Sequence, residues 1–229
     1  MRMDSIKVDR LYLKVAEQIL KYIDAEEIEA EQRLPSERDL ASQLGVSRPT
    51  VREALIALEI TGAVEIRSGS GVYVLDGSTA SSLQAPDRGP GPFEILEARR
   101  LVESEACALA AERISEESLE HLDELLEAMR LENQQETATE EADQAFHCVI
   151  AEACGNSALD TTIRWLWQLR NQSEISTHFH RRIRSEGIKP IIADHEAIVA
   201  ALRQRDPDAA RKAMGKHLQR VIDHLLNGD

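Results

Sequence analysis

The sequence lacks several features that would place a protein in a membrane or outside the cell. No apolar run approaches the roughly 20 residues that span a bilayer, and the N-terminus has no apolar segment of the signal-peptide kind. The three cysteines, Cys107, Cys148 and Cys154, are odd in number and have no Cys-x-x-Cys spacing, which predicts reduced thiols rather than disulfides or a thiolate metal site. We therefore expect a cytoplasmic protein with no membrane contact.

Positive charge is also scarce. The formal net charge is −14, and residues 1–75 hold more acidic than basic side chains. A protein that coats nucleic acid without regard to its sequence needs a basic surface to replace the counterions of the phosphates. Nucleic-acid binding by this chain would therefore depend on a few placed arginines, which favours a dimer on a defined site.

The sequence does contain two closely spaced helix starts within residues 34–55. Ser36 is a favourable N-cap for the first helix. Ser47 is a favourable N-cap for the second, and Pro49 lies in its first turn, where the missing N–H breaks no hydrogen bond. Because a short turn containing Gly45 separates the two helices, the stretch predicts a helix-turn-helix.

The flanking residues extend this motif. Residues 10–24 show helical periodicity, and β-prone runs at 63–67 and 72–75 flank a glycine-rich turn, which is the pattern of a β-hairpin. Three helices and a hairpin make a winged helix-turn-helix. The apolar stripe of the first helix is predicted to hold Leu11, Val15, Ile19, Tyr22 and Ile23.

Candidate DNA contacts follow from this arrangement. Arg48, Thr50 and Arg52 lie near the N-terminal end of the second helix, which is the end that meets base edges in a major groove. Arg38 lies on the first helix and Gly69 in the hairpin turn. The arginines could also be solvated helix charges, but their placement on the two helices of one motif favours DNA contact.

The composition changes after the hairpin. Residues 76–92 are rich in small residues, glycine and proline, which predicts a flexible linker. Everything from residue 93 to 229 is helical in pattern. The expected fold is mainly α, with a winged helix-turn-helix at 1–75 joined to an all-helical bundle of six or seven helices. Helix starts are predicted near Pro92, Ser115, Thr137, Ser157, Pro190 and Pro207.

Four residues of the bundle could form a metal site. Asp143 and His147 are four apart and share one helix face. His195 and His217 lie 11 residues before and after Asp206, where an antiparallel helical hairpin is predicted to turn. At ~1.5 Å per residue both lie ~16 Å from the turn and hence at the same level. Three imidazoles and a carboxylate would suit Zn²⁺, Ni²⁺ or Mn²⁺, although a surface Asp–His pair and a chance match in level are alternatives.

Other candidates are less clear. Either Arg99 or Arg100 could reach inward to bind a ligand carboxylate bidentately, and spacing does not decide between them. His178 and His180 are two apart, so on a helix they face different sides. His224 could line the side of His217, but its position favours an interaction with the dipole at a helix C-terminus.

The residues around the predicted helix-turn-helix resemble a known signature. The runs at 34–40, 46–55 and 69–74 are similar to the signature of the GntR-type bacterial transcription regulators. That resemblance implies a homodimer that binds a palindromic operator in double-stranded DNA. By position, it implies DNA contacts for Arg38, Ser47, Arg48, Thr50, Arg52 and Gly69.

The C-terminal part resembles the FCD effector domain of the fatty-acid-responsive (FadR-type) subgroup of that family. The similarity rests on Glu97–Glu103 and on the two pairs described above. It implies a small organic-acid effector contacted by Arg99, and a metal ion, with zinc the first expectation and nickel or manganese the alternatives. The implied metal ligands are Asp143, His147, His195 and His217.

A further similarity narrows the predicted chemical class of the effector. Residues 146–157, 165–167 and 194–202 look most like the hexuronate-utilisation repressors, which predicts a repressor that releases DNA when a sugar acid binds. The runner-up is a metal-dependent hydrolase with an accessory DNA-binding domain, because three histidines and a carboxylate also build hydrolase centres. No His-Glu-x-x-His motif is present and no general base stands beside the set. A purely structural metal is the third interpretation.

Overall fold

The computed structural model describes residues 10–76, 89–135 and 140–227. Most of the predicted linker and the predicted helix start at Thr137 lie outside these residues. The chain forms two compact units, the first made of residues up to Phe93 together with Ser173–His178. The elements are α1 Leu11–Ala25, α2 Glu37–Leu44, α3 Arg48–Ile60, β1 Val64–Arg67, β2 Gly71–Val74, α4 Pro92–Arg113, α5 Glu116–Glu132, α6 Glu141–Ala153, α7 Ser157–Gln172, α8 Glu174–Ser185, α9 Ile192–Arg203 and α10 Pro207–Asn227.

Local capping sets the two helices of the helix-turn-helix. The Ser36 hydroxyl accepts a hydrogen bond from the Asp39 N–H at 3.2 Å and donates to the Asp39 carboxylate at 2.6 Å. Gly45 ends α2 in the left-handed region with φ +65°. Each such cap is worth about 1 kcal/mol, so short polar motifs set the ends of helices too short to be stable alone.

The wing is a two-stranded antiparallel hairpin in which Val64 lies opposite Val74. Its turn includes Gly69, whose φ of +69° is a left-handed conformation that glycine adopts without steric cost. The predicted hairpin is thus present, with the second strand beginning one residue early at Gly71.

The predicted core face of α1 was partly wrong. Leu11 is 57% exposed, whereas Tyr12 is only 2% exposed. The helix packs on α3, and the buried positions there include Val15, Ala16 and Ile19. Val15, Ile19 and Ile23 of the predicted stripe are buried, and the buried face extends to Tyr12, Ala16 and Leu20 instead of Leu11.

The described part of the C-terminal half is entirely helical, as predicted, and comprises α4–α10. The starts at Pro92, Ser157 and Pro207 and the N-cap at Ser115 match the prediction. Helix α9 begins at Ile192, two residues after the predicted start. The start of α8 at Glu174 was not predicted, because Ser173 before it stands in a continuous helical pattern. No helix in the described ranges is long and apolar enough to cross a membrane.

Candidate metal centre and DNA-binding face

Asp143, His147, His195 and His217 come together: their spacing predicted each pair, and the structure joins the two pairs. Helix α6 carries the first two, α9 carries His195 and α10 carries His217. One ligand atom from each lies within 4.8 Å of the others. The three histidines are buried and the aspartate is half-buried. The helical hairpin of α9 and α10 brings the rings of His195 and His217 to a centroid distance of 4.4 Å.

The ring of His195 has its tautomer set by the backbone. Its Nδ1 lies 3.0 Å from the carbonyl oxygen of Ile191, which can only accept, so Nδ1 carries hydrogen. Its Nε2 lies 2.8 Å from Oδ1 of Asp143, a second acceptor. Burial lowers the pKa of His195, but the Asp143 contact raises it above the ordinary value. A proton or a metal ion must therefore lie between Nε2 and the carboxylate, and the fixed tautomer suits a metal ligand.

The carboxylate of Glu103 contacts Nδ1 of His147, the ring nitrogen on the side away from Asp143. Its Oε2 lies 2.5 Å from Nδ1 of His147, and its Oε1 accepts a hydrogen bond from Nε of Arg99 at 2.6 Å. Burial raises the pKa of the Glu103 carboxyl, but the Arg99 guanidinium and the His147 ring lower it to about 2. Neither ring nitrogen of His147 makes a hydrogen bond of regular geometry among the described residues, and Nε2, on the opposite side of the ring, lies 3.8 Å from Oδ1 of Asp143. A carboxylate behind one ring nitrogen and an unsatisfied second nitrogen are the surroundings of a metal-ligating histidine.

His217 is also suited to bind a metal. Burial lowers its pKa to about 4, so its ring is neutral near pH 7. Its Nδ1 lies 3.9 Å from Oδ2 of Asp194, whose other oxygen accepts from Arg220 at 2.5 Å. Because a histidine must be deprotonated to ligate, this state favours metal binding. The set of three imidazole nitrogens and one carboxylate fits Zn²⁺, Ni²⁺ or Mn²⁺.

A cavity opens beside this cluster. Its volume is about 70 Å³, several times the roughly 10–15 Å³ that one water requires. It can therefore take a small polar ligand. Its polar lining consists of Arg99, Glu140, Asp143, Arg170, His180, Lys189, His217 and His224.

Two histidines judged weaker from sequence lie in this lining. His180 belongs to the cavity wall, and Nη2 of Arg170 lies 3.3 Å from its Nδ1. His224 follows His217 by two helical turns and lines the same cavity, so its role is not confined to the helix end. Burial and the Arg170 guanidinium hold the pKa of His180 well below its usual range.

The structure distinguishes the two arginines at the start of the bundle. Arg99 points inward, is 3% exposed and lies with its guanidinium carbon 3.7 Å from the centre of the Trp167 ring. Arg100 is half-buried and outside the cavity lining. Arg99 also donates to Glu103, a partner that the sequence analysis missed. Their i,i+4 spacing could have indicated this pair.

The DNA-binding candidates on α3 are organised by two contacts. Ser47 caps the helix by accepting from the Thr50 N–H at 3.3 Å, and the two hydroxyl oxygens lie 2.8 Å apart. Nη1 of Arg52 donates to Oε1 of Glu37 at 2.8 Å, and Nη2 of Arg48 lies 3.8 Å from Oε2 of the same carboxylate. One acidic residue of α2 thus orients two arginines of α3.

The remaining two candidates are exposed. Arg38 is exposed on α2, one residue after the glutamate that orients the arginines of α3. Gly69 is exposed in the hairpin turn. Both are therefore accessible to a partner.

Comparison with known proteins places both parts of the chain. Residues 11–74 match the family described as bacterial regulatory proteins, gntR family, and residues 94–220 match the FCD domain. The chain is 40% identical over 202 residues to the Uxu operon transcriptional regulator of Escherichia coli (strain K12), covering 85% of this chain and 79% of that protein. It is 34% identical over 223 residues to the Exu regulon transcriptional regulator of the same strain, covering 95% and 85%.

A solved structure shares the fold. E. coli McbR/YncC matches with a TM-score of 0.51 and 23% identity, over 96% of this chain and 99% of that chain. At that identity the match shows the fold alone.

Proposed function

Because this chain belongs to the GntR family of bacterial regulators and carries an FCD domain, it is a DNA-binding transcriptional regulator, and we propose that a small sugar acid controls its binding to an operator. Its relatives named above are transcriptional regulators rather than enzymes, which removes the alternative of a metal-dependent hydrolase. The proposal includes a homodimer on a palindromic operator in the cytoplasm. It also assigns the DNA contacts to Arg38, Ser47, Arg48, Thr50, Arg52 and Gly69.

The observation that carries the effector site is that two of the four candidate metal ligands line a cavity. Asp143 and His217 line the same cavity as Arg99 and Arg170. When bound there by Asp143, His147, His195 and His217, a divalent ion, with zinc preferred, would supply a Lewis-acidic anchor for a carboxylate. A purely structural ion would need no adjoining polar cavity.

The chain's own residues would position the ligand. The Ile191 carbonyl holds His195 in one tautomer, and Glu103 holds His147. Arg99 is fixed against Trp167 at the inner wall, where its guanidinium can donate to the acid. Because these groups are ordered by packing before the ligand arrives, binding costs little side-chain entropy.

The choice of a hexuronate rests on similarity. The relatives that this chain resembles include regulators of the Uxu and Exu hexuronate regulons. A hexuronate joins one carboxylate to several hydroxyl groups, which suits a cavity with one anion anchor and several polar side chains. We propose repression that is relieved when the acid binds.

Release of the operator would follow from a change in the spacing of the two recognition helices of the dimer. Two recognition helices of a dimer fit successive major grooves only at a spacing near ~34 Å. A ligand that favours a different arrangement of the paired DNA-binding domains would therefore lower operator affinity. The ligand acts to the extent that it binds one arrangement more tightly than the other.

Operator binding in the presence of sugar acids tests the proposal. The protein would first select its operator from a random DNA pool, and fluorescence anisotropy would then measure affinity with and without D-glucuronate, D-galacturonate and D-fructuronate. We expect at least one acid to weaken operator binding in wild type and in the control His121→Ala, whose ring is exposed on α5. It should have no effect on His195→Ala. Operator affinity that no sugar acid changes would refute the effector class.

A further inference from the structure

A buried ion pair lies in the cavity wall, apart from the four candidate metal ligands. Nη2 of Arg170 donates to Oε2 of Glu140, and both side chains are 9% exposed. Arg170 also lies 5.2 Å from the centre of the Trp167 ring. Both charged groups line the cavity. A ligand that enters therefore meets a carboxylate of the protein as well as a guanidinium.

The backbone places this carboxylate close to the candidate anchor. Glu140 immediately precedes α6, and Asp143 follows one turn later on the same helix. Glu140 has φ +59° and ψ +27°, a left-handed conformation that is costly for a residue with a side chain. The buried ion pair with Arg170 holds the side chain of this residue in the cavity wall.

Charge in the cavity wall is closely balanced. Arg99 is paired with Glu103, and Arg170 is paired with Glu140. Each pair is neutral as a unit. With a divalent ion at the cluster that includes Asp143, the inner wall would hold one excess positive charge, which is enough for one carboxylate.

The lining has three other basic side chains, His180, Lys189 and His224, and the first two do not alter this balance. His180 is held neutral, because burial and Arg170 keep its pKa well below the usual range. Its Nδ1 accepts from the guanidinium, since arginine can only donate. Lys189 is exposed and donates to the carbonyl of Asn133 at 2.5 Å, so water screens its charge.

We propose that Glu140 makes the cavity selective for acids with a single carboxylate. Its carboxylate can accept hydrogen bonds from ligand hydroxyls, and by neutralising Arg170 it leaves no unpaired cation in the inner wall for a second carboxylate of the ligand. A second carboxylate would lose its hydration in this partly buried wall without gaining an unpaired positive charge, which is expected to weaken binding by roughly tenfold or more. The ligand class is then a polyhydroxy monoacid rather than a sugar diacid. This inference rests on the effector site proposed above.

Matched ligands test it. D-Gluconate and D-glucarate share their stereochemistry and differ only at C6, which is a hydroxymethyl group in one and a carboxylate in the other. The C6 amide of D-glucarate keeps the size of the carboxylate without its charge. Calorimetry on the metal-loaded full-length protein would measure these three and D-glucuronate, with metal content checked after each titration because diacids chelate. We expect the tighter-binding of the two monoacids, D-gluconate or D-glucuronate, to have an affinity at least about tenfold higher than that of D-glucarate. The affinity of the C6 amide should be close to that of D-gluconate.

Substitutions at Glu140 and at its neighbour test whether the preference for the monoacid comes from Glu140. In Glu140→Gln we expect the preference for the monoacid to fall below about threefold. The control Glu141→Gln removes the same charge from the exposed neighbouring position and should keep the wild-type preference. Circular dichroism and metal content would confirm folding. If Glu140→Gln does not fold, the amide decides, since it needs only wild type.

The outcomes separate the two proposals. Glucarate binding as tightly as the monoacid, an amide as weak as glucarate, or a folded Glu140→Gln that keeps its preference would each overturn the role of Glu140 and leave the effector site standing. Failure of every acid to bind wild type would overturn the proposed effector class, and the selectivity with it.

Discussion

Oε2 of Glu103 lies 2.5 Å from Nδ1 of His147, and both side chains are almost fully buried. The contact joins α4 to α6 at the point where α6 carries its half of the metal cluster. Arg99 holds the other oxygen of the same carboxylate. The candidate centre is therefore supported by a charged network behind the ligands, and several predictions about its chemistry can be tested.

Replacing Glu103 should weaken metal binding without unfolding the protein. In Glu103→Gln the group behind His147 loses its charge but keeps its size, so the ring is a less basic and less ordered ligand. We expect metal affinity to fall about 10- to 100-fold, measured by competition with a chromophoric chelator. Glu105→Gln is the control, because Glu105 is exposed on the same helix and pairs with Arg211. Equal affinity of wild type and Glu103→Gln would show that the contact does not support the metal.

Removing the metal should lower the thermal stability of wild type. A ligand that binds only the folded state at about 1,000 times its Kd stabilises by roughly 4 kcal/mol. Dialysis against a chelator followed by readdition of zinc should lower and then restore the melting temperature, measured by circular dichroism. His195→Ala should show no such response and His121→Ala should behave like wild type. A melting temperature of wild type that is unchanged by chelation and by zinc would argue against any metal at the cluster.

Glu37 should govern how well the protein tells its operator from other DNA. Its carboxylate orients Arg52 and lies near Arg48. Glu37→Gln removes this restraint on the two arginines. It also removes one negative charge from the DNA-binding domain, so the affinity for a scrambled duplex should rise. Operator affinity should not rise with it, because a misplaced bidentate base contact loses about 1–3 kcal/mol.

Fluorescence anisotropy on both duplexes at several salt concentrations measures this ratio. Glu17→Gln makes the same charge change at an exposed position of α1 and should shift both affinities together. The same parallel shift in Glu37→Gln would mean that the glutamate contributes charge and no orientation.

Ser47 should have separable structural and DNA-binding roles. Ser47→Ala removes the N-cap of α3 and should cost about 1 kcal/mol of unfolding free energy in urea denaturation. Ser47→Asp retains a capping acceptor, so stability should stay near that of wild type, but its charge would face the phosphates and weaken operator binding. The same two substitutions at Ser115, which caps α5, should reproduce the stability effects only. Wild-type operator affinity in Ser47→Asp would place this residue away from DNA.

The sequence alone determined the features that depend on neighbours a few residues apart. The serine caps and the turn at Gly45 predicted α2 and the start of α3, and the i,i+4 spacing of Asp143 and His147 predicted their shared face. Even the meeting of His195 with His217 followed from equal distances to one turn. These predictions succeed because the rise and twist of a helix are constant, so short separations translate directly into geometry.

Only the tertiary structure decided which charges meet across the bundle. Glu140 and Arg170 are 30 residues apart, and no local pattern indicates their pairing. The burial of Tyr12 in place of Leu11 likewise does not follow from the periodicity of α1 alone. The reason is that burial and ion pairing depend on side chains from several helices at once, which a periodic pattern along one helix does not contain. The candidate ligands could therefore be identified from the sequence, whereas the groups that support them and select the acid could not.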